Sequence, residues 1–191
     1  IPLTHPATEL FDTFYTDATD ERGHRRCLRT HTSAFQNQGI KLLGAPCKFA
    51  VIGKVMRNEN LDATHDMTFY QMEGVCISEN TTLGDCISAT KTFVRSLVGD
   101  VEMRVRPAYF PFVEPGFELD ILRSQNGKSR RLELLGAGMI HPKVLRAADI
   151  DPEKFQGYAF GIGVERMILL EQQIPDIRLF THGDLRFARS F

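Results

Sequence analysis

Between Met67 and Ser78 the chain alternates with a period of two, placing Phe69, Gln71 and Glu73 on one face of an extended segment and Tyr70, Met72 and Gly74 on the other. One aromatic and two polar groups on a face suit a ligand-lining strand, but a solvent-facing strand looks similar, so alternation alone does not establish a site. A second strand is predicted before it, Lys48 to Arg57, with the polar stretch Asn58 to Asp66 as the connecting loop. Thr82 to Leu97 follows the other period: Leu83, Ile87, Val94 and Leu97 fall near one helical stripe, and Thr82 with Asp85 forms a capping-box pattern. That helix is expected to pack on the core. Val101 to Arg106, Phe117 to Arg123 and Arg130 to Leu135 read as strands, the last two joined by a turn whose Asn126-Gly127 signals a hairpin. Shorter helices are predicted at Ala34 to Leu43, capped by Thr32 or Ser33, at Pro142 to Ala147, at Gly163 to Gln172, and from Asp184 onward. The charged stretch Asp17 to Arg29 reads as a surface loop. Strands grouped together, with helices before, between and after them, predict an α+β fold with a mainly antiparallel sheet.

Composition narrows the class. No repeat, low-complexity tract or linker divides the 191 residues, so residues 1–191 are read as one domain, within the roughly 100–200 residues usual for a single core. No apolar run approaches the roughly 20 residues of a membrane span, and no secretory leader opens the chain, so no membrane association and a cytoplasmic location are expected. With 23 basic and 24 acidic residues the net charge is −1, which leaves any nucleic-acid contact to local groups such as Arg25, Arg26 and Arg29. Cys27, Cys47, Cys76 and Cys86 make no C-x-x-C pair and read as reduced structural thiols.

No phosphate loop, nucleophile elbow or H-E-x-x-H motif is present, so any nucleotide must be held by arginines, carboxylates and an aromatic ring. Arg57 ends an apolar strand, and Arg166 interrupts the apolar helical stretch Ile162 to Leu170. A half-buried guanidinium is expensive unless paired, so each implies either a structural ion pair, with Glu165 or Glu171 serving Arg166, or a bound polyanion. Glu118, Asp120 and Glu133 put like charges on adjacent strands, where they repel unless a cation or an arginine lies between them. Together these groups outline an ATP and magnesium site. Phe110 and Phe112, two apart in Tyr109-Phe110-Pro111-Phe112, face the same side of an extended segment, as core or as pocket wall. His31, Ser33, Gln71 and Glu73 join such a site only if folding brings them alongside.

Several blocks carry a family resemblance. Leu28-Arg29-Thr30-His31-Thr32-Ser33, Asp62-Ala63-Thr64-His65 with Phe69-x-Gln71-x-Glu73-Gly74, Tyr109 to Pro115, Gly136-x-Gly138-Met139-x-His141-Pro142, and Gly157-Tyr158-Ala159-Phe160-Gly161-x-Gly163-x-Glu165-Arg166 occur in order. The series, running from about His5 to Phe191, resembles the catalytic core of the bacterial phenylalanine–tRNA ligase α subunits, class II aminoacyl-tRNA synthetases. It implies a class II antiparallel sheet flanked by helices. It also implies catalytic roles for Arg57, on the ATP α-phosphate and the amino-acid carboxylate, and for Arg166, on the γ-phosphate side. Glu59 and His65 are expected to meet the adenosine and phosphates, Phe69 to stack on adenine, Glu133 to bind Mg2+, and Glu114 to be a metal position near a partner subunit. Around phenylalanine, the resemblance assigns His31, Ser33, Gln71 and Glu73 to the ammonium and carboxylate, Phe110 and Phe112 to the ring, and Ala159 to the pocket bottom.

The implied activity is ATP-dependent conversion of phenylalanine to phenylalanyl-adenylate and transfer to tRNA(Phe), with a β subunit as partner. A carboxylate already ionised needs no general base, so the chemistry rests on positioning and charge stabilisation. A ring pocket built on aromatic edge-to-face contacts discriminates poorly against tyrosine, so editing is expected elsewhere in the assembly. The family's first motif and its N-terminal coiled coil belong before His5 and are not in this sequence. An alternative is therefore a truncated, non-charging relative that binds phenylalanine, an adenylate or a protein partner.

Overall fold

The alternating segments pair into a six-stranded sheet in which every neighbour is antiparallel. In this computed structural model residues 13–125 and 128–190 are described. The strands are β1 (Tyr15–Thr19), β2 (Arg25–Cys27), β3 (Cys47–Met56), β4 (Thr68–Ser78), β5 (Met103–Phe110), β6 (Val113–Gln125), β7 (Lys128–Ile140) and β8 (Gln156–Gly163). The large sheet runs β3-β4-β8-β7-β6-β5, and β1 and β2 form a separate hairpin. The helices are α1 (Gln36–Leu43), α2 (Leu83–Val98), α3 (Pro142–Ala147), α4 (Val164–Glu171) and α5 (Leu185–Ala188).

Strand parity divides the sheet into two different faces. On the back, Phe117, Leu119, Ile121, Leu135, Ala137 and Ile162 form one buried cluster with Cys86 and Val94 of α2. The α2 helix has the predicted cap: Thr82 Oγ1 accepts from Asp85 N, and Thr82 N donates to Asp85 Oδ2. On the front, one end is closed by Ile40 of α1 and Leu145 of α3 over Val75, Ile77, Ile140 and Ala159. The other end of the front face stays open. There the registers align Glu73 with Gly161, Gly161 with Gly136, and Gly136 with Glu118 in one row across four strands.

Several sequence expectations change. Asp17 to Arg29 is mostly hairpin rather than loop; its exposed strands carry enough charge to hide the alternation. The strand predicted at Val101 to Arg106 continues to Phe110. Gly157-Tyr158-Ala159-Phe160-Gly161-Ile162-Gly163 forms the inner strand β8, and the helix read from Gly163 begins one residue later. Glycine lowers strand propensity, but here Gly157 and Gly161 of β8 occupy crowded positions in the sheet. Thr32 and Ser33 cap no helix; His31 and Phe35 hold the cap positions of the 3-10 turn Thr32–Phe35 and of α1, without side-chain capping bonds. The backbones of Ser124 and Gln125 pair with Ser129 and Lys128 as a hairpin requires, while Asn126 and Gly127 lie outside the described residues. All four cysteines are free thiols.

Candidate active site

The open part of the front face is a cavity of about 270 Å3. Its floor is made of residues with little or no side chain, Ala159, Gly161 and Gly163 of β8 and Gly136 of β7. Two of these glycines are closely approached: a Cβ on Gly161 would stand 2.5 Å from Gln71 Nε2, the far end of a flexible side chain, and one on Gly136 2.7 Å from the tip of the Phe110 ring. The floor is therefore cleared by the same residues that let the walls lean inward.

One end of the cavity is built around a buried acid. Glu73 is 2% exposed, and its carboxylate accepts from Ser33 Oγ at 2.6 Å, Thr32 Oγ1 at 3.2 Å and Gln36 Nε2 at 3.2 Å. Burial pushes its carboxyl up to about 7, against the two hydroxyls, which favour the anion. Gln71, on the same strand face, is also buried. Phe110 and Phe112 form the apolar wall with ring centroids 6.2 Å apart and planes 21° from parallel. Phe110 ends β5 and Phe112 lies in the turn after it, so a tight hairpin aligns the rings where an extended segment was expected. His31 meets the Phe112 ring edge-on at 5.9 Å.

The other end holds both guanidiniums of the cavity, Arg57 and Arg166, with the carboxylates Glu59, Asp66, Glu133 and Glu165 also on its lining. Arg57 follows β3; its Nε donates to Thr30 O at 3.1 Å, and its Nη2 lies 3.3 Å from His31 Nδ1 and 3.5 Å from Gln71 Oε1. Its Nη1 is 3.6 Å from Glu59 Oε1, and its guanidinium stands 5.0 Å from the centre of the Phe69 ring. A guanidinium has no acceptor, so His31 Nδ1 must accept, which leaves the proton on Nε2. Burial and the Arg57 charge hold the His31 imidazole down at about 3, neutral throughout the physiological range. Arg166, in the first turn of α4, donates to Glu133 O at 2.8 Å and Thr64 O at 3.2 Å. These carbonyls, rather than Glu165 or Glu171, anchor it. Desolvation lowers the Arg57 pKa from its ordinary value, and the charge of Arg166 acts in the same direction. Two guanidiniums in one cavity can receive a polyanion, with Glu59 and Glu133 as carboxylates beside them.

The loop between β3 and β4 is internally fastened. Asp62 Oδ1 accepts from Thr64 N at 2.7 Å and His65 N at 2.9 Å, and His65 Nδ1 lies 3.0 Å from both Asp62 oxygens. Those bonds, led by the Thr64 amide, hold the Asp62 carboxyl well below its usual range. The ring of His65 is thereby aimed at the cavity, which it lines.

Of the carboxylates on adjacent strands, Glu118 and Asp120 share Arg106, which contacts Glu118 and lies 3.0 Å from Asp120 Oδ2. The cation shared by these two is the Arg106 guanidinium rather than a metal ion. The register shift between Leu119 and Asp120 leaves Leu134 as an extra residue, so Asp120 faces Glu133. That bulge changes the parity of β7 and brings the exposed Glu133 to the cavity. Glu114 does not line the cavity: it is exposed and its Oε2 lies 3.3 Å from His141 Nε2. No group of three or more metal-ligating side chains occurs among the described residues.

Thr32 and Gln36 are site residues the sequence reading missed. They reach Glu73 across 41 and 37 positions of chain, and no local pattern marks them. The fold and this cavity define a class. The chain belongs to the family described as tRNA synthetases class II core domain (F), whose profile matches residues 1–191. The phenylalanine–tRNA ligase alpha subunit of Xanthomonas oryzae pv. oryzae (strain MAFF 311018) is 45% identical over 192 residues, covering all of this chain and 56% of that protein. The subunit of the same name from Stenotrophomonas maltophilia (strain R551-3) gives the same identity and coverage, and that of Xanthomonas campestris pv. campestris (strain B100) is 44% identical over 197 residues. The chain thus spans 56% of the length of these curated relatives.

Proposed function

We propose that this chain is the active-site portion of a phenylalanine–tRNA ligase alpha subunit, activating phenylalanine with ATP and passing it to tRNA(Phe). The observation that carries this reading is the convergence of a buried carboxylate, paired phenylalanine rings and two guanidiniums on one glycine-floored cavity. The Glu73 carboxylate, with Ser33, Gln71 and His31 around it, takes the substrate ammonium and orients its carboxylate. Phe110 and Phe112 take the benzyl ring above Ala159. The substrate carboxylate then lies toward Arg57.

ATP occupies the end that holds the two arginines, with adenine on Phe69, Arg166 on the terminal phosphates, and Glu59 and His65 at the adenosine and phosphates. A carboxylate oxygen of phenylalanine attacks the α-phosphorus, the new O–P bond forms, and the bond to pyrophosphate breaks. Arg57 stabilises charge at that phosphorus, and a fixed guanidinium needs no reorganisation to do so. Magnesium fits this end because it is commonly held by one or two carboxylates plus substrate phosphates, and Glu133 offers one exposed carboxylate at the cavity. When bound there it would neutralise phosphate charge. Glu114 beside His141 is the second metal position of this reading. The partner is a β subunit.

No helix among the described residues is long and apolar enough to cross a membrane, and a cytoplasmic enzyme is the corresponding expectation. The test is phenylalanine-dependent exchange of pyrophosphate into ATP by the chain assembled with a β subunit. Arg57→Ala should slow that exchange by about a thousandfold. A wild type that exchanges no faster than Arg57→Ala overturns the enzymatic reading and leaves a binding module.

A further inference from the structure

β4 and β8 pair as far as Gln71 and Gly163. One residue nearer the loop, Tyr70 has no β8 partner in that register, because the chain leaves the sheet after Gly163 and winds into α4. Its N–H still has an acceptor: both carboxylate oxygens of Glu165 lie 2.9 Å from Tyr70 N. A side chain from the first turn of the helix thus continues the ladder where the strand stops. Helix α4 has no side-chain cap of its own, so this contact also fixes how its first turn sits on the sheet.

The neighbours of the two bonded residues give the contact its meaning. Phe69 precedes Tyr70, and Arg166 follows Glu165. The position a Cβ would take on Gly163 is 3.7 Å from Arg166 Cβ and 3.8 Å from Phe69 Cδ2, so the two side chains flank one narrow gap. Both line the cavity, as does Glu165, whose two carboxylate oxygens are engaged by the Tyr70 main chain.

We propose that Glu165 is a positioning residue: by tying the Tyr70 amide to the first turn of α4 it sets the spacing of Phe69 and Arg166, and so the width of the nucleotide end of the cavity. The proposal rests on the nucleotide reading of that end. A carboxylate suits the task, since a charged acceptor makes a stronger bond to an N–H than a neutral one.

The test compares the full protein with Glu165→Ala and Glu165→Gln by hydrogen exchange of the Tyr70 amide, read by mass spectrometry, and by calorimetric titration with ATP and with phenylalanine. In Glu165→Ala the Tyr70 amide should exchange about tenfold faster and ATP affinity should fall about tenfold, with phenylalanine affinity within about twofold of wild type. Glu165→Gln keeps an acceptor oxygen and should recover most of both effects. Unchanged Tyr70 exchange in Glu165→Ala would overturn the proposal. So would a joint fall of both affinities, or a Glu165→Gln variant that behaves like Glu165→Ala. A wild type that binds no ATP would refute the nucleotide reading instead, and Tyr70 exchange would still decide whether the tether exists.

Discussion

The two faces of the sheet are made by the same strands and solve opposite problems. On the back, alternate residues of β6, β7 and β8 are large and apolar, and α2 fills the space above them. On the open part of the front, Gly136 of β7 and Ala159, Gly161 and Gly163 of β8 form the floor, and nothing among the described residues fills the cavity above them. The back face contributes stability by burying area, about 25 cal/mol per Å2 of apolar surface. The open part of the front leaves burial unused and places polar groups in a low-dielectric wall, where burial raises the Glu73 carboxyl and lowers the His31 imidazole. There the strands separate packed core from cavity mainly by parity, with the bulge at Leu134 adding Glu133 to the cavity side.

The separation should be breakable from either side, and the largest effect lies at the back. Leu119 is fully buried, so Leu119→Ala should lower stability by about 3 kcal/mol in chemical denaturation while leaving ligand affinity of the folded protein within about twofold. At the front, Gly161→Ala should do the reverse: its Cβ must displace the Gln71 amide, whose far end can yield. Phenylalanine affinity is expected to fall about tenfold in titration calorimetry, with stability changed by less than about 1 kcal/mol.

Smaller effects are expected in the pH dependence of stability. The Glu73 carboxyl is raised from 4.5 to about 7, so its contribution is present below 4.5 and is lost as pH rises toward 7. His31 is lowered from 6.5 to about 3, so its contribution is present above 6.5 and is lost as pH falls toward 3. Across the shared window the slopes oppose. In denaturation measured between about pH 4.5 and 6.5, Glu73→Gln should become more stable with rising pH and His31→Asn less stable, each variant unmasking the other group.

Much of this was legible in the sequence where the signal is local. The capping box at Thr82 and Asp85, and the parity of Phe69, Gln71 and Glu73, depend on residues a few positions apart, and the structure keeps both. What failed was decided by distant contacts. β8 is rich in glycine where neighbours come close, Gly161 beside the Gln71 amide and Gly157 beside the Cys76 carbonyl oxygen, and propensity counts such glycines against a strand. Thr32 and Ser33 have the chemistry of helix caps, yet a carboxylate 40 residues onward takes their hydroxyls. Glu133 reaches the cavity through a bulge, and a parity count along β7 cannot foresee one. The ligand roles assigned through the family resemblance remain proposals, but all of those residues except Glu114 line one cavity.

The claim that joins the two halves of the account is that Glu73, buried among neutral donors, recognises the substrate ammonium. Calorimetric titration of phenylalanine against wild type and Glu73→Gln from pH 5.5 to 8.5, about 1.5 units either side of its midpoint, tests it most directly. Wild-type affinity should rise by about tenfold per pH unit up to about 7 and then level, with Glu73→Gln weak and flat across the range. Equal affinities for the two proteins, or a wild-type profile without a break near 7, would contradict it.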